Sequence, residues 1–195
     1  MKKIIITTLV FIILTVLIFS TSAYYTDSIA SLGNKIETGT VDIELREMRI
    51  NETSDQKEAY TGPVSVMPGV SVSKIVTAYN AGDLPAYIRI RIEKWFELAQ
   101  NTELIDGTAL IDLELNTINW EARDGYYYYR SPLAPNAETE PLFTYVTFSA
   151  EMGDDYEGSL AHIKVTMDAV QSNENGADVF AADGWPAHGE EATHE

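Results

Sequence analysis

The feature that most constrains the fold is a period-two alternation of apolar and polar residues. It is clearest at residues 86–93 (AYIRIRIE). Because successive side chains of a strand point to opposite faces, this spacing predicts a strand with one buried face. Ala86, Ile88, Ile90 and Ile92 are predicted to face inward, and the residues between them, Tyr87, Arg89, Arg91 and Glu93, to face outward.

The same period recurs along the chain and is interrupted by turn signals. We expect strands at residues 41–46, 64–66, 70–79, 111–118, 142–150 and 159–171, and one or two helical turns at 94–101. The inward residues of the last strand are Ala161, Ile163, Val165, Met167 and Ala169. Residues 51–62 and 132–141 are predicted to be loops, and Asp124-Gly125 a hairpin turn. Seven to nine strands with almost no helix predict an all-β fold, specifically a jelly-roll-like antiparallel β-sandwich over residues 40–172.

The first 23 residues have the order of a secretory signal peptide. Lys2 and Lys3 precede an apolar run of 16 residues at 4–19, which small residues follow. Thr21 and Ala23 lie at the expected −3 and −1 positions, so the secreted chain would begin at Tyr24. The alternative is an uncleaved membrane anchor, although a spanning helix needs about 20 apolar residues. The sequence thus predicts a signal helix and a secreted protein that meets the membrane only through an uncleaved signal.

The two ends of the predicted secreted chain lack the alternation. Residues 24–39 are polar and rich in small residues, which indicates a flexible segment. Residues 173–195 carry six acidic residues and no basic residue, so we expect a disordered acidic tail. Val179, Phe180 and Trp185 within this tail are the exceptions, since they offer apolar surface for local packing.

The composition excludes several classes of function. The chain has 30 acidic and 13 basic residues and a formal charge of −17. Phosphate binding needs clustered cations, so neither a nucleic acid nor an anionic membrane surface is an expected partner. The absence of cysteine excludes a disulfide framework, thiolate zinc sites and a cysteine nucleophile.

Two groups of residues are weak candidates for metal ligands. His188 and His194 lie beside two glutamates near the C-terminus and carry zinc-binding groups, but the tail offers no ordered scaffold. Asp83, Asp154 and Asp155 lie in predicted turns and lack the spacing of a calcium loop. We therefore predict no metal site and no cofactor, with calcium and zinc as the alternatives. His162, on an outward position of the last strand, is predicted to be exposed or hydrogen-bonded.

Aromatic and basic residues on outward strand positions are candidates for surface contacts. Four consecutive tyrosines at 126–129 place two rings on each face of a strand. They fit either packing against Trp120 and Phe143 or contact with a sugar or a second subunit. The residues predicted to form such contacts are Tyr87, Arg89, Arg91, Trp120 and Tyr127.

The order of short motifs resembles the TasA/camelysin family of Gram-positive bacteria. The resemblance covers about residues 20–171. Its motifs are AYYTD at 23–27, NKIETGTVDI at 34–43, MPG at 67–69 followed by Lys74, YNAG at 79–82, AYIR at 86–89, YEG at 156–158, IKV at 163–165 and AVQ at 169–171. Each motif is weak alone, and their common order makes the match.

The resemblance implies an exported biofilm matrix protein at the cell surface, processed by a SipW-type signal peptidase. Members of the family assemble into fibres in which the N-terminal segment of one subunit completes a sheet of the next. Residues 24–38 match the position of that donor strand, and its candidate contacts are Tyr24, Tyr25, Ile29, Leu32 and Ile36. The expected partner is therefore a second copy or a related matrix subunit, and no enzyme activity is predicted. The alternatives are a camelysin-like cell-surface metalloendopeptidase and a monomeric module that binds glycan or protein.

Overall fold

The computed structural model describes residues 40–51, 53–61, 64–65, 67–100 and 102–186. The predicted signal peptide with Thr21, Ala23 and Tyr24 lies outside these residues. So do the donor-strand candidates Tyr25, Ile29, Leu32 and Ile36, and the histidines His188 and His194.

The described chain is all-β, as the alternation predicts. It has a single turn of 3-10 helix, Asp154–Tyr156, and twelve strands. The strands are β1 (Ile43–Ile50), β2 (Lys57–Ala59), β3 (Val64–Ser65), β4 (Ser71–Ser73), β5 (Ile75–Asn80), β6 (Ala86–Glu97), β7 (Leu104–Asp106), β8 (Ile111–Leu113), β9 (Trp120–Arg123), β10 (Tyr126–Tyr129), β11 (Tyr145–Phe148) and β12 (Leu160–Gln171).

These strands form three antiparallel sheets. The first has the order β2-β1-β5, and the second the order β3-β12-β6-β10-β9, with β7 also paired to β6. The third has the order β4-β11-β8. The longest pairing joins β6 and β12, which are in register over all twelve residues of each strand.

One apolar core takes side chains from all three sheets. In β6 the predicted inward residues Ala86, Ile88 and Ile90 are fully buried, and Ile92 packs against the same cluster. The predicted inward residues of β12 face this core as well. The sequence pattern therefore predicts the inward face of both long strands correctly.

The hairpin predicted at Asp124-Gly125 is present. It joins β9 to β10, with Arg123 opposite Tyr126. Asp124 has φ 51° and Gly125 has φ 81°. Positive φ at both central residues is the requirement of a type I′ turn, which Asp-Gly satisfies.

Three local predictions are wrong, and the strands expected at 111–118 and 142–150 are shorter than predicted, at Ile111–Leu113 and Tyr145–Phe148. Residues 94–97 continue β6 instead of turning into a helix, and Phe96 is fully buried on the inward side. Residues 57–59 of the predicted loop form β2, which pairs with β1. The single strand predicted at 70–79 is divided at Lys74 between β4 and β5, which belong to different sheets. In each case pairing with a neighbouring strand, which the local pattern does not reveal, decides the result.

The prediction of a disordered tail does not hold for residues 173–186, because this segment packs on the outer face of the second sheet. Val179 and Ala182 are buried against Tyr87, Tyr128 and Val170. Phe180 and Trp185 pack around them, as the apolar character of these residues suggests. We call residues 173–186 the C-terminal strap.

Candidate functional site

The longest strand of the second sheet, β12, is fully paired on one side only. On that side it meets β6 along its whole length. On the other side, within the described chain, it pairs with β3 at Leu160 and Ala161 alone. Within the described chain, the residues beyond Ala161 therefore form a long free edge.

Hydrogen bonding at the end of β12 identifies which backbone groups point to this edge. The N–H of Ser172 donates to the carbonyl of Pro85, just before β6, at 3.0 Å. Since backbone groups alternate between the two sides of a strand, the even-numbered residues of β12 bond to β6 and the odd-numbered ones face the free edge. The carbonyl of Gln171 accepts a bond from Asn175 Nδ2. The residues that remain to accept a new strand are Ile163, Val165, Met167 and Ala169.

The first sheet has a matching free edge in β1. The N–H of Tyr60, just after β2, donates to the carbonyl of Glu47 at 2.9 Å. By the same alternation, Ile43 and Leu45 direct their backbone groups to that side. Within the described chain β2 pairs only with Met48, Arg49 and Ile50, so the edge at 43–46 is free.

The two free edges lie on one flank of the molecule. The chain passes from β2, which borders the β1 edge, to β3, which borders the β12 edge. In addition, Glu47 and Ile163 line one cavity at that end. We call this region the open flank and define it by Ile43 and Leu45 on β1 and by Ile163, Val165, Met167 and Ala169 on β12.

The side chains of the open flank are apolar and only partly buried. All six face the core cluster, yet none reaches the full burial of Val76 and Ala78 in β5 or of Ile88 in β6. In β5 the side away from β1 is covered by the loop that follows Leu133: Leu142 donates to Val76, and Thr139 donates to Ala78. The open flank has no equivalent cover among the described residues.

The other edge strands are less suited to pair with an added strand. The outer strands β7 and β8 have three residues each, and β9 has four. Short edge strands are one of the ways in which proteins discourage edge-to-edge association. The edge of β12 is longer and adjoins an incompletely buried core.

A polar cavity of about 280 Å³ lies at one end of the open flank. We call it the end pocket. Beside the backbone at Ala161 and Ile163, it is lined by Glu47, Tyr60, Lys74, Trp95, His162 and Lys164.

Lys74 is the most deeply buried cation in this pocket, with 1% of its surface exposed. Its Nζ lies 2.6 Å from Glu47 Oε1 and 3.7 Å from the centre of the Tyr60 ring. Burial lowers the pKa of Lys74, and the hydrogen bond to Glu47 opposes that shift. No local sequence pattern predicts this pair, because Glu47 on β1 and Lys74 between β4 and β5 are 27 residues apart.

His162 is held at the rim of the pocket. Its ring stacks on Trp95 with centroids 5.1 Å apart, and its Nε2 lies 3.2 Å from Glu97 Oε2. The prediction of a hydrogen-bonded histidine is therefore confirmed.

Most of the predicted surface-contact residues are not on the surface. Trp120 is 2% exposed, and its indole N–H donates to the carbonyl of Glu140. Tyr87 and Arg89, at 7% and 6%, lie beneath the C-terminal strap. Arg91 and Tyr127 are half-buried. Tyr87 and Arg89 were expected at the surface because the alternation identifies an outward face but not what covers it, whereas Trp120 and Tyr127 face the main core.

The tyrosine run divides between the two faces, as predicted. Tyr127 and Tyr129 pack against the main core, and the rings of Tyr129 and Trp120 are 5.1 Å apart. Tyr126 and Tyr128 face the C-terminal strap. The packing alternative thus describes the run, with the strap as an additional partner.

The described residues contain no group of three or more His, Asp or Glu side chains placed to hold a metal ion. Asp83, Asp154 and Asp155 are exposed and lie at a bend and in the 3-10 turn. Nor does any helix within the described part of the chain have the length and apolar character needed to cross a membrane.

Comparison with known proteins adds no further assignment. No family model, no curated protein and no solved structure matches the chain.

Proposed function

We propose that this protein is a secreted structural subunit of an extracellular matrix, a jelly-roll-like β-sandwich that assembles by adding a strand from a second copy to the open flank. The observation that supports this proposal is the coincidence of a free strand edge with a half-buried apolar row. Together, within the described residues, they support a core that one added strand would complete.

The energetic reason for assembly lies in two contributions. An added strand would pair its backbone with Val165 and Met167, which point their N–H and C=O groups away from β6. It would also bury apolar surface on Leu45 and Val165, at about 25 cal/mol per Å² removed from water. Backbone pairing supplies affinity, while the apolar row favours alternating donor sequences.

Residues 24–38 of a second copy are the proposed donor. The odd-numbered positions from 163 to 169 span about 20 Å of extended chain. A segment of 15 residues is long enough to cover this edge. Export and release of the segment rest on the predicted signal at 1–23 and a SipW-type peptidase, which belong to this proposal and not to the described structure.

The first experiment compares chain 24–195 with chain 39–195 by sedimentation velocity and negative-stain electron microscopy. We expect fibres from the longer chain and soluble, folded protein from the shorter one. Far-UV circular dichroism checks that both are folded. Fibres from chain 39–195 contradict donation by the N-terminal segment.

A proline at the free edge tests the acceptor directly. Val165→Pro removes an N–H that faces the open flank and leaves the bonds from β12 to β6 in place. We expect chain 24–195 with this change to remain folded and to form no fibres. Val165→Ala, which keeps the N–H, is the matched control and should still assemble. If Val165→Pro unfolds, Met167→Pro offers the same outward N–H, and assembly by either folded proline variant rules out this edge.

A further inference from the structure

We propose that the end pocket receives a carboxylate side chain from the strand added by a second copy, with Lys164 as its principal counter-ion. This inference rests on the strand addition proposed above and specifies the chemistry at one end of it. It concerns the residues that fix where the donor strand stops along the edge.

The end pocket is a locally basic site on a strongly acidic protein. Lys74 and Lys164 line it, with Glu47 as the one acidic lining residue, whereas the whole chain carries a formal charge of −17. A site of this sign attracts a negatively charged side chain and disfavours a positive one.

The two lysines differ in how their charges are satisfied. Lys74 is already paired with Glu47 and covered by Tyr60. Lys164 is exposed and has no ion-pair partner among the described residues. Its cross-strand neighbour on β6 is Glu93, but Glu93 lies 2.6 Å from Arg91 and pairs with it. Lys164 is therefore the lysine of the end pocket that can form a new ion pair without breaking one among the described residues.

The position of Lys164 explains why the ligand is expected on a strand. Its neighbours Ile163 and Val165 present backbone groups to the open flank. A residue of the added strand opposite Lys164 has its Cβ about 5 Å from that of the lysine, on the same face. A carboxylate at that position reaches the ammonium group without leaving the strand.

The donor segment contains the required group. Residues 24–38 carry two acidic residues, Asp27 and Glu37, and one basic residue, Lys35. Pairing of one acid with Lys164 while apolar donor residues meet the open flank would select one register among several. Register is weakly specified in polar, weakly patterned strands, so a charged end contact has a clear role here.

Charge reversal with suppression tests this inference on chain 24–195. Lys164→Glu places a like charge opposite the donor acid and should raise the critical concentration for fibre formation. Loss of a favourable cross-strand pair alone, as in Lys164→Gln, should raise it about fivefold. Lys57→Glu is the matched control, since it makes the same change of net charge on the exposed strand β2 and should have little effect.

Suppression identifies the donor acid. Asp27→Lys and Glu37→Lys are each combined with Lys164→Glu, and we expect one of the two combinations to restore assembly. If Lys164→Gln and Lys164→Glu assemble like the Lys57→Glu control, the carboxylate site is wrong while strand addition stands. If unsubstituted chain 24–195 forms no fibres at all, the proposed function fails, and this inference fails with it.

Discussion

The strands β6 and β12 pair along their whole lengths and face the same core, yet they are buried to different degrees. Ala86, Ile88 and Ile90 of β6 are fully buried. Val165 and Met167 of β12, which lie opposite Ile92 and Ile90, are only partly buried. The reason is the number of neighbouring strands. β6 lies between β12 and the strands β10 and β7, while β12 has, among the residues that the structure describes, β6 on one side and two residues of β3 on the other.

This difference shows that a row of apolar side chains on one face of a strand is not enough to bury those side chains. A central strand buries its inward side chains because both flanking strands contribute cover. An edge strand with the same alternation leaves part of that surface in water, where a further strand gains free energy by covering it. The edge of β12 is therefore where we propose that a second copy adds its strand.

The largest expected effect is on β6, the strand that has neighbouring strands on both sides. Ile90→Ala removes three buried carbons from β6 and should lower the free energy of unfolding by about 2–5 kcal/mol. Val165→Ala removes two partly buried carbons from β12 and should cost about 1 kcal/mol. Urea unfolding of monomeric protein measures both, and equal losses for the two variants contradict the difference in burial.

The C-terminal strap provides a second comparison, because it covers the outer face of the sheet whose edge is open. Arg89 joins the strap to that face. Its Nε lies 2.7 Å from Asp168 Oδ2, and its Nη2 donates to the carbonyl of Pro186. The guanidinium also lies 4.8 Å from the Trp185 ring, which packs against Tyr128.

Removal of the Trp185 ring should therefore loosen the strap without affecting the open flank. Trp185→Ala is expected to lower the free energy of unfolding by about 1–3 kcal/mol, since the ring is half-buried. Tyr145→Ala, an exposed aromatic on β11, is the control and should cost less. Thermal unfolding measures the loss, and fibre formation at a temperature where both variants are folded should be unchanged. Loss of assembly in folded Trp185→Ala would mean that the strap takes part in association.

The sequence predicts the parts of the fold that depend on local pattern. The inward faces of β6 and β12 follow from alternation, and the β9–β10 hairpin follows from Asp124-Gly125. The division of residues 70–79 into two strands was missed because β-branched residues favour extended chain without specifying the sheet that receives it.

The candidate site was predictable only in part. Ile163, Val165 and Met167 were identified as inward-facing, but their position on an open edge depends on which strand lies beside β12. Lys74 and Glu47 were missed because their contact joins residues 27 apart in the sequence. Tyr87 and Arg89 were placed at the surface because a period-two pattern cannot anticipate a strap that arrives from the end of the chain.

The smallest expected effect concerns Tyr129 on β10, a strand that is paired on both sides. Its hydroxyl donates a hydrogen bond to Glu140. Burial and the nearby Glu140 carboxylate raise the pKa of Tyr129 to about 12, and the hydrogen bond lowers the pKa of Glu140. A raised tyrosine pKa contributes stability below its ordinary value of 10.0 that is lost as the pH rises toward 12. A lowered glutamate pKa contributes stability above its ordinary value of 4.5 that is lost as the pH falls through the lower value.

Tyr129→Phe keeps the ring against Trp120 and removes the hydrogen bond, so it separates packing from the polar contact. We expect it to lower the free energy of unfolding by about 1 kcal/mol or less, since the carboxylate is exposed and solvent screens the contact. The difference from the unsubstituted protein should be largest between about pH 5 and pH 10 and should shrink on either side of that range. Urea titrations at pH 4, 7 and 10.5 measure it. A difference that stays constant from pH 4 to pH 10.5 would mean that the hydroxyl does not act through a hydrogen bond to the ionised Glu140 carboxylate.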